Sequence, residues 1–291
     1  MGIVLQLVLE SVLLGGFYAF MSLGFSLIWG VMNIINLAYG SFIVLGAYLS
    51  YILFTHLGVD PLLSMPVGIV AGFLTGAILQ RFLIDKAMKM EPFMVLILTF
   101  GLDIFLAHSL NLLFKADIRS IDTPYAEGSI LVGELILSQV KLIVFVTALL
   151  LSFLLYLFLK LSWTGRAIRA VALDREGATL VGINPSRIFL IASGIGTAIA
   201  FSSGHLYGLL QGFTPFDGAF LTVKAFLVSV LGGLGRVESA MVGGLVLGFV
   251  EIFVGFYAGE NWRLFASLVL LILILLLRPR GIMGGKYYGQ A

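Results

Sequence analysis

The run Ile3-Val-Leu-Gln6-Leu-Val-Leu-Glu10-Ser-Val-Leu-Leu-Gly15-Gly-Phe-Tyr-Ala-Phe-Met-Ser-Leu-Gly24-Phe-Ser-Leu-Ile-Trp29 decides the class of this chain. An α-helix crosses a hydrocarbon core of about 30 Å with roughly 20 apolar residues. The run exceeds that length and is interrupted only by Gln6, Glu10 and small residues. It lacks the basic region that opens a secretory signal, so it reads as a retained transmembrane helix. Glu10, a single acid near a helix end, is expected at the membrane interface or against the protein interior.

The rest of the chain has the same character. Of 291 residues, 60% are apolar and 11% charged, against about 25% charged in an ordinary soluble domain. Hydropathy predicts spans near 4–29, 35–54, 62–83, 93–114, 137–160, 187–210, 237–258 and 262–278. A ninth apolar segment, Phe220 to Leu234, is short and ends in Gly232-Gly233-Leu234-Gly235, which suits a broken or re-entrant helix. The expected fold is an all-α polytopic membrane protein of 8–10 transmembrane helices, forming one transmembrane domain over residues 1–291.

Charge gives the orientation. Arg81, Lys86 and Lys89 flank one connection, Lys160, Arg166, Arg169, Arg175 and Arg187 lie in or beside a second, and Arg278, Arg280 and Lys286 form the tail. Basic connections stay in the cytoplasm. The connection of about 115–136 carries Asp117, Asp122, Glu127 and Glu134 and is expected outside. Parity then sends the segment Phe220 to Leu234 inward, with Arg236 in the cytoplasm. The amino terminus is outside if the break at Gly30 to Asn36 is a full turn, and inside if that break lies at mid-membrane.

Several activities are excluded. A net charge of +2, spread in short clusters, gives no nucleic-acid surface. There is no cysteine for thiolate ligation or nucleophilic attack, and His56, His108 and His205 are too scattered to suggest a metal site. Neither a phosphate-binding Gly-x-x-x-x-Gly-Lys-Ser/Thr loop nor a hydrolase signature is present, so the chain is not expected to be an enzyme.

Two glycine patterns stand out. Gly40 and Gly46 follow the first break, and Gly232, Gly233 and Gly235 mark a later one before Gly243-Gly244. They fit either two pseudo-repeated halves around a pathway or simple close packing of helices. The basic connection of about 161–186, Gly165-Arg-Ala-Ile-Arg-Ala-Val-Ala-Leu-Asp174-Arg175-Glu176-Gly-Ala178-Thr-Leu-Val-Gly182-Ile-Asn184-Pro-Ser-Arg187, reads as one short helix on the inner membrane surface. Ala167, Ile168, Val171, Ala172 and Leu180 recur at near-helical spacing, Gly182 can end the helix, and Pro185 can start the next span. Such a helix either docks into a partner's groove or covers the membrane surface.

This connection closely resembles the ATPase-coupling loop of LivH/LivM-type permeases of bacterial branched-chain amino acid ABC importers. That family has a Gly-Arg-Ala-x-Arg-Ala start, an Asp-Arg-Glu-Ala-Ala centre and a Gly-Ile close, and the sequence departs from it at Gly177, where alanine is usual. Ile35-Asn36-Leu-Ala-Tyr39-Gly40 resembles the family's Ile-Asn-Phe-Ala-His-Gly. Gly46-Ala-Tyr48, Lys224-Ala-Phe, Leu231-Gly-Gly-Leu-Gly235 and Arg278-Pro-Arg-Gly281 continue the match in order along nearly the whole chain. The short tail looks more like the LivH half than the LivM half.

The resemblance implies a multi-pass permease of the cytoplasmic (inner) membrane with its carboxyl terminus inside. It implies a second, LivM-like permease or a second copy as partner, two cytoplasmic ATPases, and a periplasmic or lipid-anchored solute-binding protein. Asp174, Arg175, Glu176, Ala178 and Gly182 would form the coupling element. No cofactor is implied. Tyr39 replaces the usual histidine, and related permeases carry urea, amides, small acids and other amino acids.

Polar residues inside apolar spans are costly and usually face an interior or a cavity. Asn36, Tyr39, Thr99, Asp103, Asn111, His205 and Lys224 are therefore the candidate pathway residues. Asp103, where the family usually has a small or neutral residue, is expected to pair with Lys224 or to meet a cationic group. Each of these residues equally suits a structural ion pair or a helix-packing hydrogen bond. A gradient-driven carrier using Asp103 or Glu251, a channel, and a sugar-type ABC permease are the competing readings.

Overall fold

A computed structural model describes residues 2–126, 128–133, 135–233, 235, 239–278 and 281–283. Leu234, Arg236, Glu127, Glu134, Arg280 and Lys286, used in the orientation argument above, lie outside the described residues. The helices are α1 (Gly2–Met32), α2 (Tyr39–Leu57), α3 (Pro61–Leu79), α4 (Asp85–Met88), α5 (Pro92–Phe114), α6 (Gln139–Leu161), α7 (Trp163–Leu173), α8 (Arg175–Leu180), α9 (Pro185–Leu210), α10 (Gly218–Gly232), α11 (Ser239–Tyr257) and α12 (Trp262–Leu277). A π-helical turn, Gln80–Ile84, joins α3 to α4 without a break. Among the described residues seven helices are long and apolar enough to span a membrane, and α10 and α12 are shorter apolar helices. The chain is an all-α polytopic membrane protein.

The bundle is built around α1 and α9. α1 packs along α11 and α9, and α9 also packs on α2 and α3. In α9, 83% of the most apolar window is buried inside the protein, against 22% in α5 and in α6, which turn rows of phenylalanine and leucine outward. Lipid is as apolar as a leucine side chain, so apolarity alone does not draw one helix to another; close approach through small residues does. Gly204 of α9 faces Ile43 O, Gly46 of α2 faces Phe201 O, and Gly244 and Gly248 of α11 face Gly15. A Cβ at any of these positions would overlap backbone.

Four expectations need correction. First, α2 begins at Tyr39 rather than near residue 35, because the chain reverses after Asn33, which takes the left-handed φ of 55°. Second, the segment of about 115–136 is not all irregular. Ser129–Val132 (β1) and Leu135–Ser138 (β2) form an antiparallel hairpin with Gly133 at φ 64° in its turn. Two short apolar runs, 130–132 and 135–137, on either side of Gly133 suit a strand pair, and the hairpin delays α6 to Gln139. Third, the basic connection holds two helices, α7 and α8, because Asp174 leaves helical geometry to cap the second one. Fourth, Leu180 is not on the buried face: it is 89% exposed.

Side-chain ties show which connections share an end of the bundle. Gln6 exchanges two hydrogen bonds with the backbone of Ile136, and Glu10 pairs with Lys141 at 2.5 Å. Tyr125 donates to Asp60, the residue that caps α3. Burial, and then Asp60, push the Tyr125 hydroxyl up to about 12, so it stays a donor throughout the neutral range. The starts of α1 and α6, the hairpin and the α2–α3 turn therefore lie together. At the opposite end Gly30 abuts Gly235, and Ile282 and Met283 donate to Leu231 and Gly232. The amino terminus thus shares the end of the acidic connection.

The glycine crossings give a paired prediction. Gly204→Val should lower the midpoint of thermal unfolding in detergent, with a cost of about 1–3 kcal/mol or more from overpacking, because Ile43 O occupies the space. Gly101→Ala on α5, where nothing lies within 4 Å of an added Cβ, should leave the midpoint nearly unchanged.

Candidate functional site

The interior holds an interrupted stretch of backbone. Between α1 and α2 residues 33–38 turn back beside α1, so that the Tyr39 hydroxyl donates to Met21 O (2.7 Å) and its ring meets Phe25 edge-on. A non-helical backbone in a membrane protein needs partners from neighbouring elements. Thr99 of α5 accepts from Leu37 N (3.2 Å). Thr222 of α10 donates to Leu37 O (3.0 Å) and accepts from Gly40 N (2.7 Å). The Asn36 side chain accepts from Ala38 N (3.1 Å). Gly40 is required here, because a Cβ would run into Gly218 O.

Four of the predicted residues gather around this break: Asn36, Tyr39, Thr99 and, one step away, Asp103, which accepts from Ser41 at 2.5 Å. Asp103 is half-buried and does not pair with Lys224. Ser41 and Thr222 are the members that sequence reasoning missed. Hydroxyl residues in spans often bond their own preceding turn, so hydropathy gives no mark that these two bond across helices.

Lys224 sits elsewhere. Its ammonium donates to Glu251 (2.9 Å) and to the Tyr18 hydroxyl (2.5 Å), and it lies over the rings of Tyr18 and Phe220 at 4.6 and 4.7 Å. Tyr18 and Ser267 in turn donate to Glu251 at 2.6 and 3.3 Å. α1, α10, α11 and α12 each supply one member of this buried cluster. His205 is fully buried on α9, bonded to Phe201 O of its own helix (3.0 Å) and packed on Gly68 of α3. Asn111 lies half-buried near the end of α5. Of the later glycines, Gly232 packs against Ser239 O, and Gly233 and Gly235 take φ of 126° and 81° where the chain leaves α10.

The α7–α8 pair is built differently. Gly165, Ile168, Val171 and Ala178 face inward. Asp174 Oδ1 accepts from the amides of Glu176 and Gly177, both at 3.0 Å, fixing the start of α8. Gly182 ends the unit at φ 86°, and Asn184 caps α9 ahead of Pro185. Leu173, Leu180 and Val181 are 84%, 89% and 76% exposed, and Glu176 is also exposed.

Breaking the buried pair yields a test of its role in stability. Lys224→Met leaves Glu251 without its cation and should cost about 3–5 kcal/mol, read as a fall in the detergent unfolding midpoint. The double variant Lys224→Met, Glu251→Gln should recover most of that loss.

Similarity to known proteins falls along the whole of this framework. Residues 7–277 match the family model described as branched-chain amino acid transport system / permease component. The chain is 32% identical over 294 residues to the high-affinity branched-chain amino acid transport system permease protein BraD of Pseudomonas aeruginosa, covering 96% of this chain and 95% of that one. It is 31% identical over 296 residues to the corresponding protein LivH of Escherichia coli, and 30% over 295 to LivH of Salmonella typhimurium, with the same coverage. No solved structure matches. The match spans both the interior break and the α7–α8 pair, and the chain belongs to the family of permease components of branched-chain amino acid transport systems.

Proposed function

We propose that the chain is one permease subunit of an ATP-driven importer and forms, with a LivM-like permease or a second copy of itself, a pathway for leucine, isoleucine and valine. Residues 1–291 act as a single transmembrane domain in the cytoplasmic membrane, with the carboxyl terminus and α7–α8 in the cytoplasm and the β1–β2 hairpin outside. Two ATPases dock on α7–α8, and a binding protein delivers solute at the hairpin end. The observation that carries this reading is the α7–α8 unit: a capped, positioned helix pair that offers Leu173, Leu180 and Val181 outward. An exposed apolar patch flanked by charge is what a partner's groove takes up.

In this reading Asp174 fixes the start of α8, Arg175 stacks on Phe189 of α9 (4.6 Å), and Ala178 seats the helix on the bundle. Gly182 turns the chain into α9, and Glu176 meets the ATPase. Movement of α8 is thus passed to α9, on which α2 and α3 pack. Asn36, Tyr39, Thr99 and Asp103 line the moving part of the pathway around the α2 break, with Asn111, His205 and Lys224 supporting the helices that flank it.

The test is uptake of labelled leucine by proteoliposomes holding the full assembly. Glu176→Lys should cut ATP-dependent uptake roughly tenfold or more, as expected on replacing a charge-assisted contact of about 1.5–3 kcal/mol by repulsion, while the subunits still co-purify. Asp174→Asn, which keeps an oxygen for capping, should retain most of the uptake that Asp174→Ala loses. Uptake that follows an ion gradient and ignores both substitutions would refute the proposal.

A further inference from the structure

The Lys224 cluster forms the floor of a cavity of about 270 Å³ lined by this one chain. The cavity lies between α1, α6, α9, α10, α11 and α12, towards the end that carries the hairpin. Its volume is at the lower edge of the roughly 300–1,000 Å³ typical of small-molecule pockets, so it suits a small solute.

Its lining is polar in a balanced way. Lys141, Lys224 and Arg263 supply three cations, while Glu10 and Glu260 line it and Glu251 stands behind Lys224. Each cation has one carboxylate: Lys141 with Glu10, Lys224 with Glu251 at 2.9 Å, and Arg263 with Glu260 at 2.6 Å. A simple anion or cation would meet equal numbers of attractive and repulsive groups. A zwitterion would set its carboxylate near one half of these pairs and its ammonium near the other. One donor is left over for such a guest. Lys224 uses two of an ammonium's three donors, on Tyr18 and Glu251.

Part of the wall is apolar. Leu13, Leu14, Phe17, Val144, Leu210 and Ile252 line it, a surface that gains about 0.8 kcal/mol per buried CH₂. Paired charges beside an apolar surface are complementary to an α-amino acid with a hydrocarbon side chain.

We infer that this cavity, within a single permease chain, binds a small zwitterionic amino acid with an aliphatic side chain, its carboxylate directed to Arg263 and Lys224. The inference rests on the proposed function for the solute class and adds the site: a protomer-internal stop for the solute, separate from the α2 break. A zwitterionic phospholipid headgroup shares the same charges, so the test separates the two.

The experiment is equilibrium binding of labelled L-leucine to the assembled membrane complex in nanodiscs, without ATP or binding protein. Nanodiscs are made once with phosphatidylcholine and once with phosphatidylethanolamine. Saturable binding is expected in both lipids. Isocaproate, lacking the ammonium, and leucinamide, lacking the carboxylate, should each compete at least about tenfold more weakly, which is about 1.4 kcal/mol. Leu14→Trp fills the cavity without touching the ion pairs and should abolish binding while the unfolding midpoint is kept. Leu14→Ala, which enlarges the cavity, should retain binding. Leucine binding that is unchanged in Leu14→Trp overturns the site. So does absence of binding while ATP-driven leucine uptake persists, and that outcome leaves the proposed function standing. Retention of phosphatidylethanolamine by the native chain, lost in Leu14→Trp and not displaced by leucine, assigns the cavity to a lipid headgroup and also overturns the inference.

Discussion

Between Asn33 and Ala38 the backbone turns back into the bundle without helical partners, and hydrocarbon supplies no water in their place. The amide and carbonyl of Leu37 are instead bonded by Thr99 and Thr222, two side chains from helices far away in sequence. This requirement ties α2, α5 and α10 to one another at the level where α2 begins. It also demands Gly40, since no other residue lets α10 come near enough for Thr222 to reach. Remove either threonine and the break has a polar group left in an apolar medium, which costs several kcal/mol in such surroundings. The arrangement therefore holds only while α5 and α10 stay in register with α2.

Packing around the break follows from the same solvent. Glycine and serine faces bring α1, α2, α3, α9 and α11 to backbone contact, and the large apolar side chains point either into the few gaps or out to lipid. The buried charges obey the rule that an ion in this setting needs a counter-ion and further hydrogen bonds. Glu251 has Lys224, Tyr18 and Ser267. Because α1, α10, α11 and α12 each give one member, the cluster fixes those four helices relative to one another.

Legibility in the sequence divides along physical lines. Hydropathy locates the spans because membrane thickness sets their length, and Asn36, Tyr39, Thr99 and Lys224 are marked by the cost of polar groups in apolar runs. The partner choices are not marked in this way. Asp103 and Glu251 look alike in sequence as acids within apolar helices, and only the rotation and tilt of α10 decide that Lys224 turns to Glu251. Thr222 and Ser41 are equally silent, since hydroxyl residues are common in spans without any tertiary bond. The hairpin at 129–138 is short enough to pass as loop. In the basic connection the break at Asp174 is readable afterwards as an N-cap signal, but the apolar spacing on both sides of it suggests one continuous helix.

The account turns on α7–α8 being the cytoplasmic surface on which ATPases act. The sequence has no cysteine, so a single Leu180→Cys substitution can be labelled alone, with a membrane-impermeant maleimide, in intact cells and in inside-out vesicles. The account predicts labelling only in inside-out vesicles, strong suppression when the ATPase subunits are bound, and recovery once they are stripped. Labelling from outside intact cells, or labelling from the cytoplasmic side that bound ATPases leave undiminished, would contradict it.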